Sequence, residues 1–307
     1  MKEKKINSIT ITYEPDIDIL RNQIMSLSSQ VCSVIIVDNN SNNISKIKDI
    51  CNELNNCTLI PLDDNYGIAY AQNKGIELSV KNSATHVILF DQDSNIELDF
   101  INGLLKAENE LLDNGESVAA VGPAFYDQES GYQYKNTYVK NTPILKGLFL
   151  GKNEFTNGLN HLESYFLIAS GCLIRTSIIK EIGLMDSTLF IDNVDSEWCF
   201  RAQYNGYKVF TTNYSLMSHN IGEGKVSVFG KKIAVHSNIR KYYNTRNNLY
   251  LMRLSYVKNG TKIRVIPFLV AKFIIGLKTT NNVKEYIRYH FLAIYDFLKN
   301  KKGKFNH

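Results

Sequence analysis

The sequence predicts an α/β protein with a mostly parallel central sheet, helices on both faces and a C-terminal helical extension. Three observations carry this reading. Between residues 6 and 91, strand-like apolar runs alternate four times with helix-spaced segments. Each run ends in polar residues, most clearly in Val87-Ile88-Leu89-Phe90-Asp91-Gln92-Asp93-Ser94. After residue 240 the pattern changes to amphipathic helices rich in aromatic and basic side chains.

Taken in order, residues 6–13 alternate apolar and small polar side chains and read as the first strand. Pro15 and Asp16 open a helix with Ile19, Leu20, Ile24 and Leu27 at helical spacing. Residues 31–37 form a continuous apolar strand ending in Asp38-Asn39-Asn40-Ser41. A second helix carries Ile44, Ile47, Cys51 and Leu54, and residues 57–60 make a short third strand. Asp64-Asn65-Tyr66-Gly67 turns into a helix through Ala71, Asn73 and Ile76, and the fourth strand leads into Asp91.

A helix over residues 100–112 and a strand over 118–122 continue the unit. Residues 126–164 lose periodicity and read as a loop region over the site, with room for a hairpin. Order returns at residues 165–174, followed by a short helix closed by Gly183 as its C-terminal cap. Asp195 sits at the start of a helix that ends near Asn205-Gly206, with a strand after it at residues 208–211. Residues 263–277 and 283–298 read as two more amphipathic helices, followed by a basic tail.

Composition narrows the function classes. With 307 residues and 44% hydrophobic content, the chain can bury a sizeable core. Its formal charge of +5 suits anionic phosphate ligands or an anionic lipid surface, and is too small to argue for nucleic acid. The five cysteines lack C-x-x-C spacing and read as reduced thiols of a cytoplasmic protein. No apolar stretch reaches the roughly 18 residues of a spanning helix.

Ionised carboxylates cannot stay unpaired inside a core. Asp91 and Asp93 therefore belong where the strand emerges at the carboxyl edge of the sheet, the place where open α/β sheets bind ligands. Two hard oxygen donors there suit Mg²⁺ or Mn²⁺ bridging phosphates. There is no G-x-G-x-x-G after the first strand and no Walker lysine loop, which speaks against dinucleotide and P-loop sites.

Together, Thr12-Tyr13, Asp38-Asn39-Asn40-Ser41, Asn65-Tyr66-Gly67, Asn73-Lys74-Gly75, Asp91-Gln92-Asp93 and Asp192-Asn193-Val194-Asp195-Ser196-Glu197-Trp198 resemble family 2 glycosyltransferases of GT-A (Rossmann-like) fold. Leu89 to Ser94 and Phe190 to Arg201 resemble in particular the bacterial rhamnosyltransferases of capsule and O-antigen assembly. The resemblance covers roughly residues 6–255, so the expected organisation is a transferase domain over 1–255 and a helical extension over 256–307. It implies an inverting, metal-dependent transfer of a sugar, with dTDP-L-rhamnose as donor and a lipid-linked saccharide as acceptor. The nearest alternative donors are UDP-galactofuranose, UDP-galactose and a UDP-hexosamine. A metal-dependent phosphohydrolase and a non-catalytic nucleotide-sugar binding module are the rivals from other classes.

The resemblance also implies roles. Asp195 is the base and Asp93 a metal ligand. Asp91 and Gln92 lie toward the donor, and His219, 24 residues beyond Asp195, completes the metal site. Thr12, Tyr13, Asp38, Asn40, Asn65, Gly67 and Asn73 line the nucleotide pocket, and Gly171 lets backbone approach the donor sugar. Asp192, Glu197, Trp198 and Arg201 fall on the acceptor side, although Trp198 also reads as a core anchor and Glu197 as a surface helix charge. Glu14 stands where the family usually has Asn, and the Q-x-x-R-W motif of processive synthases is missing, which favours one sugar per encounter. The expected location is cytoplasmic, with peripheral contact at the inner membrane face through the C-terminal helices.

Overall fold

The computed structural model describes residues 4–127, 131–140, 145–156, 158–218 and 237–307, together with the backbone of 225–228 and 231–234. Its first half runs β1 (Ile6–Thr12), α1 (Ile17–Ser28), β2 (Ser33–Asp38), α2 (Ile44–Asn52), β3 (Cys57–Pro61), α3 (Ile68–Lys81) and β4 (His86–Asp91). The middle comprises β5 (Asn95–Ile96), α4 (Phe100–Asp113), β6 (Val118–Tyr126), β7 (Asn136–Val139), β8 (Leu150–Asn153), β9 (His161–Glu163), β10 (Cys172–Arg175) and α5 (Thr176–Ile182). Then follow α6 (Val194–Tyr204), β11 (Lys208–Ser218), β12 (Lys225–Val228), β13 (Lys231–Ala234), α7 (Asn238–Leu251), α8 (Asn259–Thr279) and α9 (Val283–Leu298).

The main sheet is ordered β3-β2-β1-β4-β10-β6-β11-β5, with β9 also pairing β11. Strands β3, β2, β1 and β4 are parallel, as are β6 and β11. Between these two groups β10 runs antiparallel to both neighbours, so the sheet is mixed at its centre. The apolar runs are continuous because both faces are covered. Val34, Ile36, Ile88 and Phe90 enter one core cluster with α1, α2 and α4. Ile35, Val37, Val87 and Leu89 enter the other, with α3, α5 and α6. Helix α1 begins where Asp16 caps the backbone N–H groups of Asp18 and Ile19.

The aperiodic stretch after residue 126 does contain a hairpin, β7–β8. Its Val139 and Leu150 pack on Tyr165, Phe200, Leu251 and Val257. That places it beside the later turns of α6, away from the Asp195 end.

The C-terminal helices fold back on the sheet domain. Tyr242 and Tyr243 of α7 bury against Ala293 of α9, with Phe190 and Phe305 packed alongside. The tail returns to the front of the molecule, where the Gly303 N–H donates to the Thr188 carbonyl at 2.7 Å and Lys304 pairs with Asp64.

Candidate active site

The carboxyl ends of β1 and β4 are neighbours, with Ile11 opposite Asp91. Several side chains fix the turn after β4. Gln23 of α1 donates to the Asp91 carbonyl at 2.7 Å, and Gln92 Oε1 accepts the Tyr13 N–H at 2.8 Å. The Asp91 N–H reaches Ser170 Oγ at 3.3 Å, and Ser94 and Ser170 share a hydrogen bond. Asp93 is left exposed beyond the strand, while Asp91 is partly covered.

The segment entering α6 is conformationally costly. Phe190, Asp192 and Asn193 have φ of 67°, 65° and 63°, the left-handed region that non-glycine residues avoid. Such a geometry persists when its surroundings over-determine it. Here α7 does so. Asn247 Nδ2 shares its hydrogens among the carbonyls of Leu189, Ile191 and Asp192, at 2.8–3.0 Å. Buried Arg246 donates to Leu189 at 3.1 Å and to Gly303 at 2.7 Å. This cradle sets Asp195 in the first turn of α6, where its Oδ1 accepts the Ser196 N–H at 2.7 Å.

Four carboxylates gather in this corner. Burial raises the Asp91 pKa to about 6, and the charges of Asp93 and Asp195 add to the effect, with Arg240 opposing. Burial also raises Asp195, reinforced by Asp192, against the N–H groups of Ser196 and Ala169, which favour the ionised form. Arg240 Nε lies 3.4 Å from Asp192 Oδ1. Among the described residues, the four carboxylates carry more negative charge than Arg240 and Lys272 neutralise.

Burial of Asp91, reinforced by that excess, makes stability depend on pH. The folded-state pKa of Asp91 lies above the ordinary 3.8. The folded protein thus holds an extra proton between roughly pH 4 and 6 and loses stability as pH rises through that window. Asp91→Asn is expected to flatten the loss and to stabilise the ligand-free protein at pH 7 by on the order of 1–2 kcal/mol, after discounting for partial exposure. Urea denaturation at pH 5 and pH 7 reads this directly. An unchanged pH dependence in the variant would remove the raised Asp91 pKa from the account.

Other expected site residues have different employment. Asp38 is fully buried and accepts from Thr12 Oγ1 at 2.7 Å, Ser41 N at 2.7 Å and Ser41 Oγ at 2.6 Å. Thr12 and Asp38 therefore brace the strand ends instead of presenting free groups to a nucleotide. Asn73 does not line a pocket either. Its amide clamps Met185 by two 2.9 Å hydrogen bonds, tying α3 to the approach to Asp192. Gly67 (φ 86°) closes on Phe190, whose carbonyl would lie 2.4 Å from an added Cβ and accepts the Ile68 N–H at 2.8 Å. At Gly171 (φ 78°) an added Cβ would meet Pro123 and Met217, so the turn beneath Asp91 has room only for glycine.

The acceptor-side assignments of Glu197, Trp198 and Arg201 also fall. Glu197 is 1% exposed and takes two hydrogen bonds from Arg201, at 2.9 and 3.0 Å, and one from Tyr256. Arg201 spends its other donors on the carbonyls of Ile182 and Leu184. Trp198 is buried, with Nε1 donating to Gly183 O at 3.0 Å. These three hold α6 in place.

Tyr13 and Asn40 stand exposed at the ends of β1 and β2, Asn40 with φ 66°. Asn65 turns its side chain onto the Gly67 N–H at 3.0 Å. His219 lies outside the described residues. The positions to which the sequence assigned no role are positioners: Ser170 under the Asp91 turn, Asn247 under Asp192, and Asn39 of the Asp38-Asn39-Asn40-Ser41 run, which accepts the Tyr66 N–H at 3.3 Å. An asparagine inside an amphipathic helix, as at 247, was the only available signal.

The donor set fits a hard divalent cation, because among the described residues carboxylate oxygens outnumber the nearby positive charges. Among the described residues no group of three or more His, Cys, Asp or Glu is placed to hold an ion. A cation at Asp91 and Asp93 would thus draw further ligands from phosphate oxygens and water.

Comparison with known proteins agrees with this geometry. The sequence pattern of glycosyl transferase family 2 matches residues 9–183. The chain is 34% identical over 298 residues to the dTDP-rhamnosyl transferase RfbF of Shigella flexneri, covering 97% of each. It is 26% identical over 209 residues to the glucosyl-dolichyl phosphate glucuronosyltransferase of Haloferax volcanii, covering 57% of this chain and 64% of that one. Among solved structures, S. aureus TarS 1–349 in complex with UDP-GlcNAc superposes with a TM-score of 0.55 at 13% identity, over 97% of this chain and 81% of TarS. GalNAc-T7 with UDP, GalNAc and Mn²⁺ gives 0.55 at 12% identity, over 98% of this chain and 58% of its own.

Proposed function

The chain belongs to glycosyl transferase family 2 and has the GT-A fold, and on that premise we propose that it transfers L-rhamnose from dTDP-L-rhamnose to a lipid-linked saccharide of capsule or O-antigen assembly. The full-length likeness to a dTDP-rhamnosyl transferase carries the choice of donor. With the family established, the phosphohydrolase reading has no support.

In this reading residues 1–255 form the transferase unit and 256–307 its helical extension. Tyr13, Asn40 and Asn65 face the nucleoside, and Thr12, Asp38 and Asn39 brace the edge beneath them. Asp93, with Asp91 behind it and His219 beyond the described residues, would hold Mg²⁺ or Mn²⁺. Such a cation would supply positive charge to offset that of the leaving diphosphate. Asp195 removes the proton from the acceptor hydroxyl, whose oxygen then bonds to the anomeric carbon on the face opposite the breaking bond. A single displacement of this kind inverts the anomeric configuration. Raised by burial, Asp195 is a better proton acceptor than a surface carboxylate. The protein works in the cytoplasm, at the inner face of the membrane that carries its acceptor.

Thermal-shift titration with dTDP, UDP and GDP, each with and without Mn²⁺, tests the donor. A ligand at 100 times its Kd adds about 2.7 kcal/mol of stability. Metal-dependent stabilisation by dTDP is the expected result. A preference for UDP would keep the fold and the base but replace the donor by a UDP-sugar such as galactofuranose, galactose or a hexosamine.

A further inference from the structure

Charge is unevenly divided along this chain. Residues 258–304 hold eleven Lys and Arg against two acids, a net of +9 in a chain whose total is +5. The remainder is therefore net −4. The same segment carries an extended apolar surface that no other described residue covers. On α8, Ile263, Ile266, Val270 and Ile274 recur on one side of the helix and are 46–52% exposed. On α9, Phe291 and Leu298 are 67% and 66% exposed, and Val283, Ile294 and Tyr295 are exposed beside them. The opposite sides of both helices are committed. Val265 and Gly276 are buried on α8, Gly276 against Tyr286 of α9, and Ala293 buries against α7.

We propose that the exposed faces of α8 and α9 form a docking surface for an anionic lipid bilayer. A helix with an apolar stripe and basic flanks lies in the plane of a membrane interface, with the stripe in the acyl boundary and the cations among headgroups. Lys262 and Lys278 supply those cations on α8, and Lys284 and Arg288 on α9, while Arg264 turns to the Gly147 carbonyl and the Tyr165 ring; Glu285 is the lone acid of the two helices before Asp296. Neither helix is long and apolar enough to cross a membrane, so the protein lies on the bilayer. A second copy of the chain is a poorer occupant, because pairing two such surfaces would bring their positive segments together.

The surface connects to the acid cluster through one helix. Lys272 of α8 donates to Asn244 of α7 at 3.0 Å, and Asn244 lies one turn from Arg240, the partner of Asp192. Docking through α8 and α9 thus ties the acceptor end of the site to the membrane surface, which deepens the lipid-linked half of the proposed reaction and rests on that reading.

The test is flotation of the full-length protein with vesicles of phosphatidylcholine alone and of equal parts phosphatidylcholine and phosphatidylglycerol, without donor or acceptor. Binding to the anionic vesicles, weakened by salt, is expected, with at least a tenfold loss in the double variant Val270→Glu, Phe291→Glu. Both positions are exposed, so the variant should keep its melting temperature and its nucleotide response. Equal binding of variant and wild type, or no binding to either vesicle, overturns the proposal. So does a lipid-free dimer in light scattering that the double variant dissolves, since a second copy would then cover the face. Because nucleotide response is read separately, failure here leaves the transferase reading intact.

Discussion

Asp195→Asn is expected to lower the transfer rate by about 10²–10⁴-fold, the range typical of a lost general base. The substitution keeps the shape of the side chain and can still accept the Ser196 N–H at the start of α6. Melting temperature and nucleotide-induced stabilisation should therefore stay near wild type while turnover collapses. The wild-type pH profile provides a second reading. Asp195 must be ionised to act, and its pKa is raised by burial and by Asp192. Activity should thus fall on the acid side at a pH above that of an exposed carboxylate, through protonation of the base. Full activity in the Asp195→Asn variant would sink the assignment.

Arg201→Met is expected to destabilise the fold by about 3–5 kcal/mol, because it strands a buried carboxylate. Glu197 is almost wholly enclosed, and Arg201 supplies two of its hydrogen bonds while also satisfying two carbonyls before the Asp192 segment. Tyr256 alone cannot balance a full charge at that depth. The urea midpoint should drop sharply, and the double variant with Glu197→Gln should recover part of the loss. An acceptor-binding role would instead raise KM for the acceptor with stability unchanged. A structural role thus moves the midpoint, and a binding role moves KM.

Asp195 and Glu197 illustrate why sequence could nominate these residues but not separate them. Two positions apart on a helix, they point about 200° away from each other. One must therefore face the sheet edge if the other faces the packed side. Nothing local decides which. The choice follows from Arg201, Ile182 and Tyr256, brought together by folding across as many as 59 positions of chain. Asn73 fails to read as a clamp for the same reason, since its partner Met185 is 112 residues away. The antiparallel β10 is likewise invisible locally, because a four-residue strand carries no mark of its direction.

By itself the sequence determined the alternating strands and helices up to Asp91 and the later helices, since apolar periodicity reports burial on one or both faces, while the short strands β5, β9, β12 and β13 carry too few residues to show a period. It also placed Asp91 and Asp93 at a strand's carboxyl end, because an apolar run cannot continue through charge. Tertiary structure alone decided which polar groups are free. Asp38, Asn73, Glu197 and Arg201 have the same chemistry whether they meet a ligand or the protein. Only the packed chain supplied partners to these four, left Asp93 exposed, and held Asp192 and Asn193 in a strained turn through Asn247. Hydrogen bonding between distant groups is a property of proximity, and proximity is what folding creates.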